Sequence, residues 1–214
     1  MNRSAQYFRP VESFARAAGC PRAMHGFTLV EAMVSLSIIA LAGAVLLLGV
    51  QTSMLTTSES LEQTIASGMA RQIVDEVLGA RYKEAGTSPY QYPLTANSWE
   101  LQGTGRERFN DTDDFNGFRA QPAEDLWGLE LGQGDEAGSA RHPNFQIPTD
   151  RFDRWRQEID VYYVNQSDPS VRLPDGQTSN LRCVEVRILY ENPDGSVRPL
   201  ANLRRVYAYV PPTQ

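Results

Sequence analysis

Little in this 214-residue chain suits covalent or redox chemistry. It has two cysteines, Cys20 and Cys183, and if residues 1–26 are removed only Cys183 stays. A chain so trimmed cannot close an internal disulfide, so its stability has to come from a core, which roughly 160 residues can supply. Beyond residue 26 the one histidine is His142, which stands beside Pro143 and reads as a solvated loop residue. Zinc-ligand spacing, a phosphate-binding glycine loop, a Gly-x-Ser-x-Gly elbow and a Cys–His pairing are all missing. The neighbouring carboxylates Asp113 and Asp114 do not by themselves define a hydrolytic geometry. The chain therefore reads as a non-enzyme.

Charge is missing in a more telling place. Residues 27–50, FTLVEAMVSLSIIALAGAVLLLGV, carry a single charged side chain, Glu31. Residues 51–70 hold no lysine or arginine, and no proline falls between residues 22 and 88. By contrast, residues 1–26 hold Arg3, Arg9, Arg16 and Arg22 against Glu12, a formal +3. Subtracting that from the whole-chain −6 leaves −9 for the rest, which argues against nucleic acid or anionic lipid as the main partner. The basic group Arg151, Arg154 and Arg156 is interleaved with Asp150, Asp153 and Glu158, and reads as a neutral solvated face.

At 1.5 Å per residue the apolar run makes a helix of roughly 36 Å, enough to cross a hydrocarbon core of about 30 Å. Arginines before it and none just after it place the N-terminus in the cytoplasm and the rest outside. A secretory signal has a shorter apolar core with its cleavage site behind it; here the candidate site, Gly26-Phe27, lies in front. Cleavage there leaves the membrane helix on the product. Glu31 is the anomaly, since a carboxylate within a membrane helix costs on the order of 2.5–3.5 kcal/mol and calls for a partner.

Gly26 followed by Phe27-Thr28-Leu29-Val30-Glu31 resembles the processing and methylation site of type IV prepilins and type II secretion pseudopilins. The resemblance covers the leader boundary and the first helix. It implies that a prepilin peptidase/methyltransferase cuts between Gly26 and Phe27 and then N-methylates Phe27, and it makes Glu31 the assembly acid. In a filament, Glu31 of one subunit would pair with the Phe27 ammonium of the next, turning two costly charges into one pair and fixing the axial register. Ser35, Ser37, Gly43 and Gly49 suit helix–helix contact. The implied partners are the peptidase, other pilin or pseudopilin subunits and an inner-membrane assembly platform. Many major pilins carry a proline in this helix; its absence, with the absence of a disulfide pair, points to a minor subunit. The rival reading is a single-span periplasmic binding module that never polymerises.

Four segments follow: a leader (1–26), a membrane and assembly helix (27–50), its amphipathic continuation (51–86) and a periplasmic head (87–214). Leu61, Ile65, Met69, Ile73 and Val77 recur every four residues, joined by Val74 and Leu78, and form a stripe that should pack on a sheet. Gly86 and Ser88-Pro89 supply the stop, so one helix is expected from 27 to about 84. Tyr90 to Pro93 and Trp99 to Gln102 hint at a short strand, and residues 103–138 read as a long variable loop region. Strands are expected at 158–164, where Ile159, Val161 and Tyr163 alternate, and at 182–190, where Val184, Val186, Ile188 and Tyr190 alternate. A third is expected at 203–210, where Val206, Ala208 and Val210 lie opposite Tyr207 and Tyr209; an Asn192-Pro193-Asp194-Gly195 turn joins the last two. The expected class is α+β: a long N-terminal helix on an antiparallel sheet, the order seen in pilin-like proteins.

The run from Asn110 to Gly117 holds Asp111, Asp113 and Asp114, hard oxygen ligands of the kind calcium prefers. The EF-hand pattern fails there in every register. The run looks like an Asp-Asp-x-x-Gly turn of some minor pilins of the mannose-sensitive haemagglutinin type. It is read first as an Asx-rich structural turn and second as a calcium site.

Overall fold

The computed structural model describes residues 26–132, 147–148 and 150–211; the leader and His142 lie outside the described residues. The chain divides into two compact units, 1–52 and 53–214. In order, the elements are α1 (Leu29–Gly79), a short 3-10 turn (Glu100–Gln102), β1 (Phe118–Ala120), β2 (Trp155–Tyr163), β3 (Leu181–Glu191) and β4 (Val197–Ala208).

In the first unit the side chains of α1 are exposed almost without exception, large aliphatics included. Among the described residues α1 is the one helix long and apolar enough to cross a membrane. No proline interrupts it, and it runs unbroken past Gly43 and Gly49.

In the second unit α1 buries Ala66, Ala70, Ile73, Val74 and Val77 in one cluster with Ile159, Val161, Val184, Val186 and Ile188 of the sheet. The expected stripe is present but rotated. Ile65 and Met69 lie at its flank, while Leu61 and Leu78 stay exposed. Ala66 and Ala70 hold the centre of the contact, because a methyl-sized side chain lets the helix backbone come close to the sheet. Two ion pairs tie the helix to the rest of this unit. Arg106, buried, grips Glu76 in a two-pronged bond at 3.0 and 3.2 Å, and Arg198 reaches Glu62 at 2.8 Å.

The helix ends at Gly79, not near residue 84. Just past it the backbone is taken by another segment: Arg81 N–H donates to Asn110 O at 3.3 Å and Thr112 N–H to Arg81 O at 2.9 Å. That short parallel bridge outcompetes another helical turn. Gly86, at φ +87°, serves a later turn.

The sheet order is β1-β2-β3-β4, antiparallel throughout. Register sets Ile159 opposite Val186 and Val161 opposite Val184, so the alternation read in the sequence faces the helix. The turn between β3 and β4 closes through Asn192 N–H to Ser196 O (2.8 Å) with Gly195 at φ +82°. Three expectations need correcting. The last strand starts at Val197, ahead of the expected 203, and has a register shift opposite Ile188/Leu189 beside Pro199. In it Tyr207 turns toward the core while Val206 faces out, since Tyr207 and Tyr209 pack on Tyr82 at centroid distances of 5.7 and 5.2 Å. No strand forms at 90–93 or 99–102. There Asn97 Oδ1 accepts from Trp99 and Glu100 N–H (2.9 and 3.2 Å) and Glu100 returns a bond to Asn97 N–H (2.8 Å), a capping box that starts a 3-10 turn. Conversely, β1 emerges within the expected loop region and pairs Phe118 with Ile159.

Candidate functional site

The N-terminal site begins in extended chain and becomes helix within three residues. Gly26, Phe27 and Thr28 precede α1, and Phe27 is 74% exposed. Thr28 is the N-cap residue. Its Oγ1 accepts from Glu31 N–H at 3.2 Å, and its own N–H and Oγ1–H both donate to Glu31 Oε2, at 3.1 and 3.0 Å. This is a reciprocal capping box, which satisfies two backbone donors, Thr28 N–H and Glu31 N–H, at a helix start where lipid could not. Its signal, Thr-x-x-Glu before an apolar run, stands in the sequence at Thr28 to Glu31; reading Glu31 only for its charge overlooks it.

Two consequences follow. Glu31 is not bare within the single chain, since Oε2 accepts both cap bonds, yet the carboxylate keeps acceptor capacity for a further partner. At Gly26 a Cβ would meet nothing within 4 Å. The fold itself makes no demand for glycine there, so any such demand comes from outside the chain.

The acidic run 110–114 turns out to be an internal joint. Asp111, Thr112, Asp113 and Asp114 are all between 1% and 4% exposed. Asp114 Oδ2 accepts from Asn110 and Asp111 N–H (2.8 and 3.1 Å), and Asp111 Oδ1 accepts from Asp113 N–H (2.9 Å). Asp113 Oδ1 pairs with the guanidinium of Arg182. Thr112 Oγ1–H donates to Tyr82 O at 2.9 Å, which fastens the loop to the chain just past the helix end. Asn116 links Leu94 O and Val161 N–H, both at 2.9 Å, and Gly117 turns the chain at φ +82°. The Asx-rich turn is therefore present, but buried. Among the described residues no group of three or more His, Cys, Asp or Glu side chains is arranged to hold a metal; Asp111, Asp113 and Asp114 are adjacent without converging on a common point.

Arg182 is the residue that the sequence reading passed over. Fully buried on β3, it lies between the rings of Tyr82 (4.2 Å) and Tyr163 (5.1 Å) and donates to Tyr163 Oη at 3.1 Å. Its parity with Val184 and Val186 puts it on the core face, and that parity was visible in the strand pattern. Burial raises the carboxyls of Asp111, Asp113, Asp114 and Glu100 above their usual range; Asp111, with the Asp113 charge adding to burial, is pushed up to about 6. For Asp113 the Arg182 guanidinium opposes the rise, and Arg182 is in turn held above its ordinary value by Asp113 despite its own burial. Cys183, also fully buried, has its thiol raised by burial, the behaviour of a packing residue and not of a nucleophile.

Residues 21–47 match the prokaryotic N-terminal methylation motif. No curated protein and no solved structure is detectably similar to the chain. The N-terminal segment is thus that of a type IV prepilin-like protein. A long apolar helix whose second half packs on a four-stranded antiparallel sheet is a pilin-like α+β arrangement.

Proposed function

We propose that this chain is a minor pilin or pseudopilin subunit: a structural protein cleaved between Gly26 and Phe27, N-methylated on Phe27, held in the inner membrane by α1 with its head in the periplasm, and polymerised through that helix. The observation that carries the reading is a single acid, Glu31, at the start of the otherwise uncharged stretch 27–50, where the methylation motif matches residues 21–47.

Cleavage converts the Phe27 amide into an ammonium four residues from Glu31. In lipid both charges are costly, and on a lone subunit the Thr28 cap offsets part of the carboxylate's cost. A neighbour's Phe27 ammonium offers Glu31 a full counter-charge, so subunit entry into a filament is favoured at the register where the two meet. The exposed aliphatic face of α1 supplies the packing surface, with Gly43 and Gly49 open to close approach, since a Cβ at either would meet nothing within 4 Å.

The test separates insertion from assembly. A Glu31→Ala chain should insert into membranes and be cleaved like the wild type, yet fail to enter sheared filament fractions. If it assembles as efficiently as the wild type, the pairing argument is wrong.

A further inference from the structure

β4 is the longest strand, at 12 residues, and it is an edge. One side pairs with β3; among the described residues no strand pairs with the other. An open row of backbone N–H and C=O groups of that length is a template for one more strand. Its first part is blunted, because Pro199 lacks an N–H and the register shifts beside it. Leu200 is the residue the shift leaves without a partner, and from Ala201 to Ala208 the edge is regular.

The side chains of this edge discriminate. β4 contains Arg198, Arg204 and Arg205 and no acid, in a chain whose residues 27–214 sum to −9. Arg198 is paired with Glu62. Arg204 spends its hydrogen bonds on neutral oxygens, Tyr162 Oη at 3.2 Å and Pro169 O at 2.6 Å, so its charge is retained. Arg205 is exposed, and among the described residues its guanidinium has no hydrogen-bond or ion-pair partner. Like charges opposite one another across strands are destabilising and opposite charges favourable. A second β4 laid on this edge, in any register that overlaps the basic stretch with itself, sets arginine against arginine. An acidic strand meets the complementary arrangement.

We propose that the free edge of β4, from Ala201 to Ala208, is a strand-addition site for an extended acidic segment of a different protein. Backbone pairing supplies the binding, and the exposed Arg205, with the charge of Arg204 on the opposite face of the strand, selects the sign of the partner's charge and disfavours a second copy of the chain. The site is independent of polymerisation through α1, so failure of either reading leaves the other standing.

The test uses the full chain in detergent micelles and a short end-capped peptide of alternating valine and glutamate, carbonyl-labelled for infrared spectroscopy. The expected result is saturable binding, with the labelled carbonyls moving to the β-sheet amide I position. A valine–lysine peptide should bind about fivefold more weakly, the size set by one exposed cross-strand pair, at Arg205, turned from attractive to repulsive. Arg204→Glu with Arg205→Glu should reverse that preference. Because Arg204 also contacts Tyr162 and Pro169, Arg205→Glu alone, which removes no contact, is the second variant and should narrow the preference. No binding, no charge preference, or equal binding by an acidic peptide N-methylated at every residue, so that neither of its edges can pair, would each overturn strand addition. So would concentration-dependent pairing of the head through β4 itself.

Discussion

Replacing Asp111 by asparagine should stabilise the head at neutral pH, although it removes a buried hydrogen-bonding acid. Asp111 is 2% exposed, lies beside Asp113, and titrates near 6 in the folded chain. An unfolded aspartate titrates near 3.9, so between about pH 4 and pH 6 the native state holds a proton that the unfolded state has lost. The group therefore adds no penalty below about 4, and its full penalty stands above about 6. At 1.36 kcal/mol per pKa unit that penalty is at most about 3 kcal/mol, and relaxation around the site brings it toward 1–2. Asparagine keeps the Oδ1 acceptor that receives Asp113 N–H at 2.9 Å while removing the charge. Urea unfolding of the full chain in micelles, followed by tyrosine and tryptophan fluorescence, should show the Asp111→Asn protein more stable by about 1–3 kcal/mol at pH 7.5. The advantage should shrink to nothing near pH 4. A variant less stable than wild type at pH 7.5, or a gain that persists unchanged at pH 4, would refute the electrostatic account of this joint.

Further outcomes follow from the same geometry. Arg182→Met strands the Asp113 carboxylate in the core and should cost about 3–5 kcal/mol, whereas Arg182→Met with Asp113→Leu should recover a large part of that loss in the same unfolding assay. Calcium should leave the melting temperature unchanged, since the carboxylates at 111, 113 and 114 already serve internal donors; a rise of several degrees on adding millimolar calcium would restore the metal-site reading. Gly26→Val should leave the thermal melt of the head unaltered, there being nothing within 4 Å for a side chain to meet, while abolishing the mass shift of processing in cells that carry a prepilin peptidase.

What the sequence revealed is what local chemistry dictates. Glu31 in an uncharged run, the Asn192–Gly195 turn and the alternation of Val184, Val186 and Ile188 each follow from one residue or one period, and the structure has each where expected. What stayed hidden depends on contacts distant in sequence. The helix stops at Gly79 because residues 110–112 capture the backbone at Arg81, a pairing some 30 positions away. Ala66 and Ala70 are too small to stand out in an apolar stripe, yet they set how closely helix and sheet approach. The acidic run was legible as an Asx-rich turn, but not its burial, because its buried counterion, Arg182, lies some 70 residues downstream. β4 begins at Val197, ahead of the expected 203, because pairing with β3 carries the ladder past Pro199, which an edge strand tolerates.

The most direct test of the account is the intact mass and N-terminal sequence of this protein, purified from membranes of cells expressing a prepilin peptidase. The account predicts a chain that begins at Phe27 and is heavier than the cleaved product by one methyl group on its amino terminus. A chain that still begins at Met1, with peptidase activity verified on a known prepilin in the same cells, would contradict it and leave Glu31 as a capping residue of an ordinary membrane anchor.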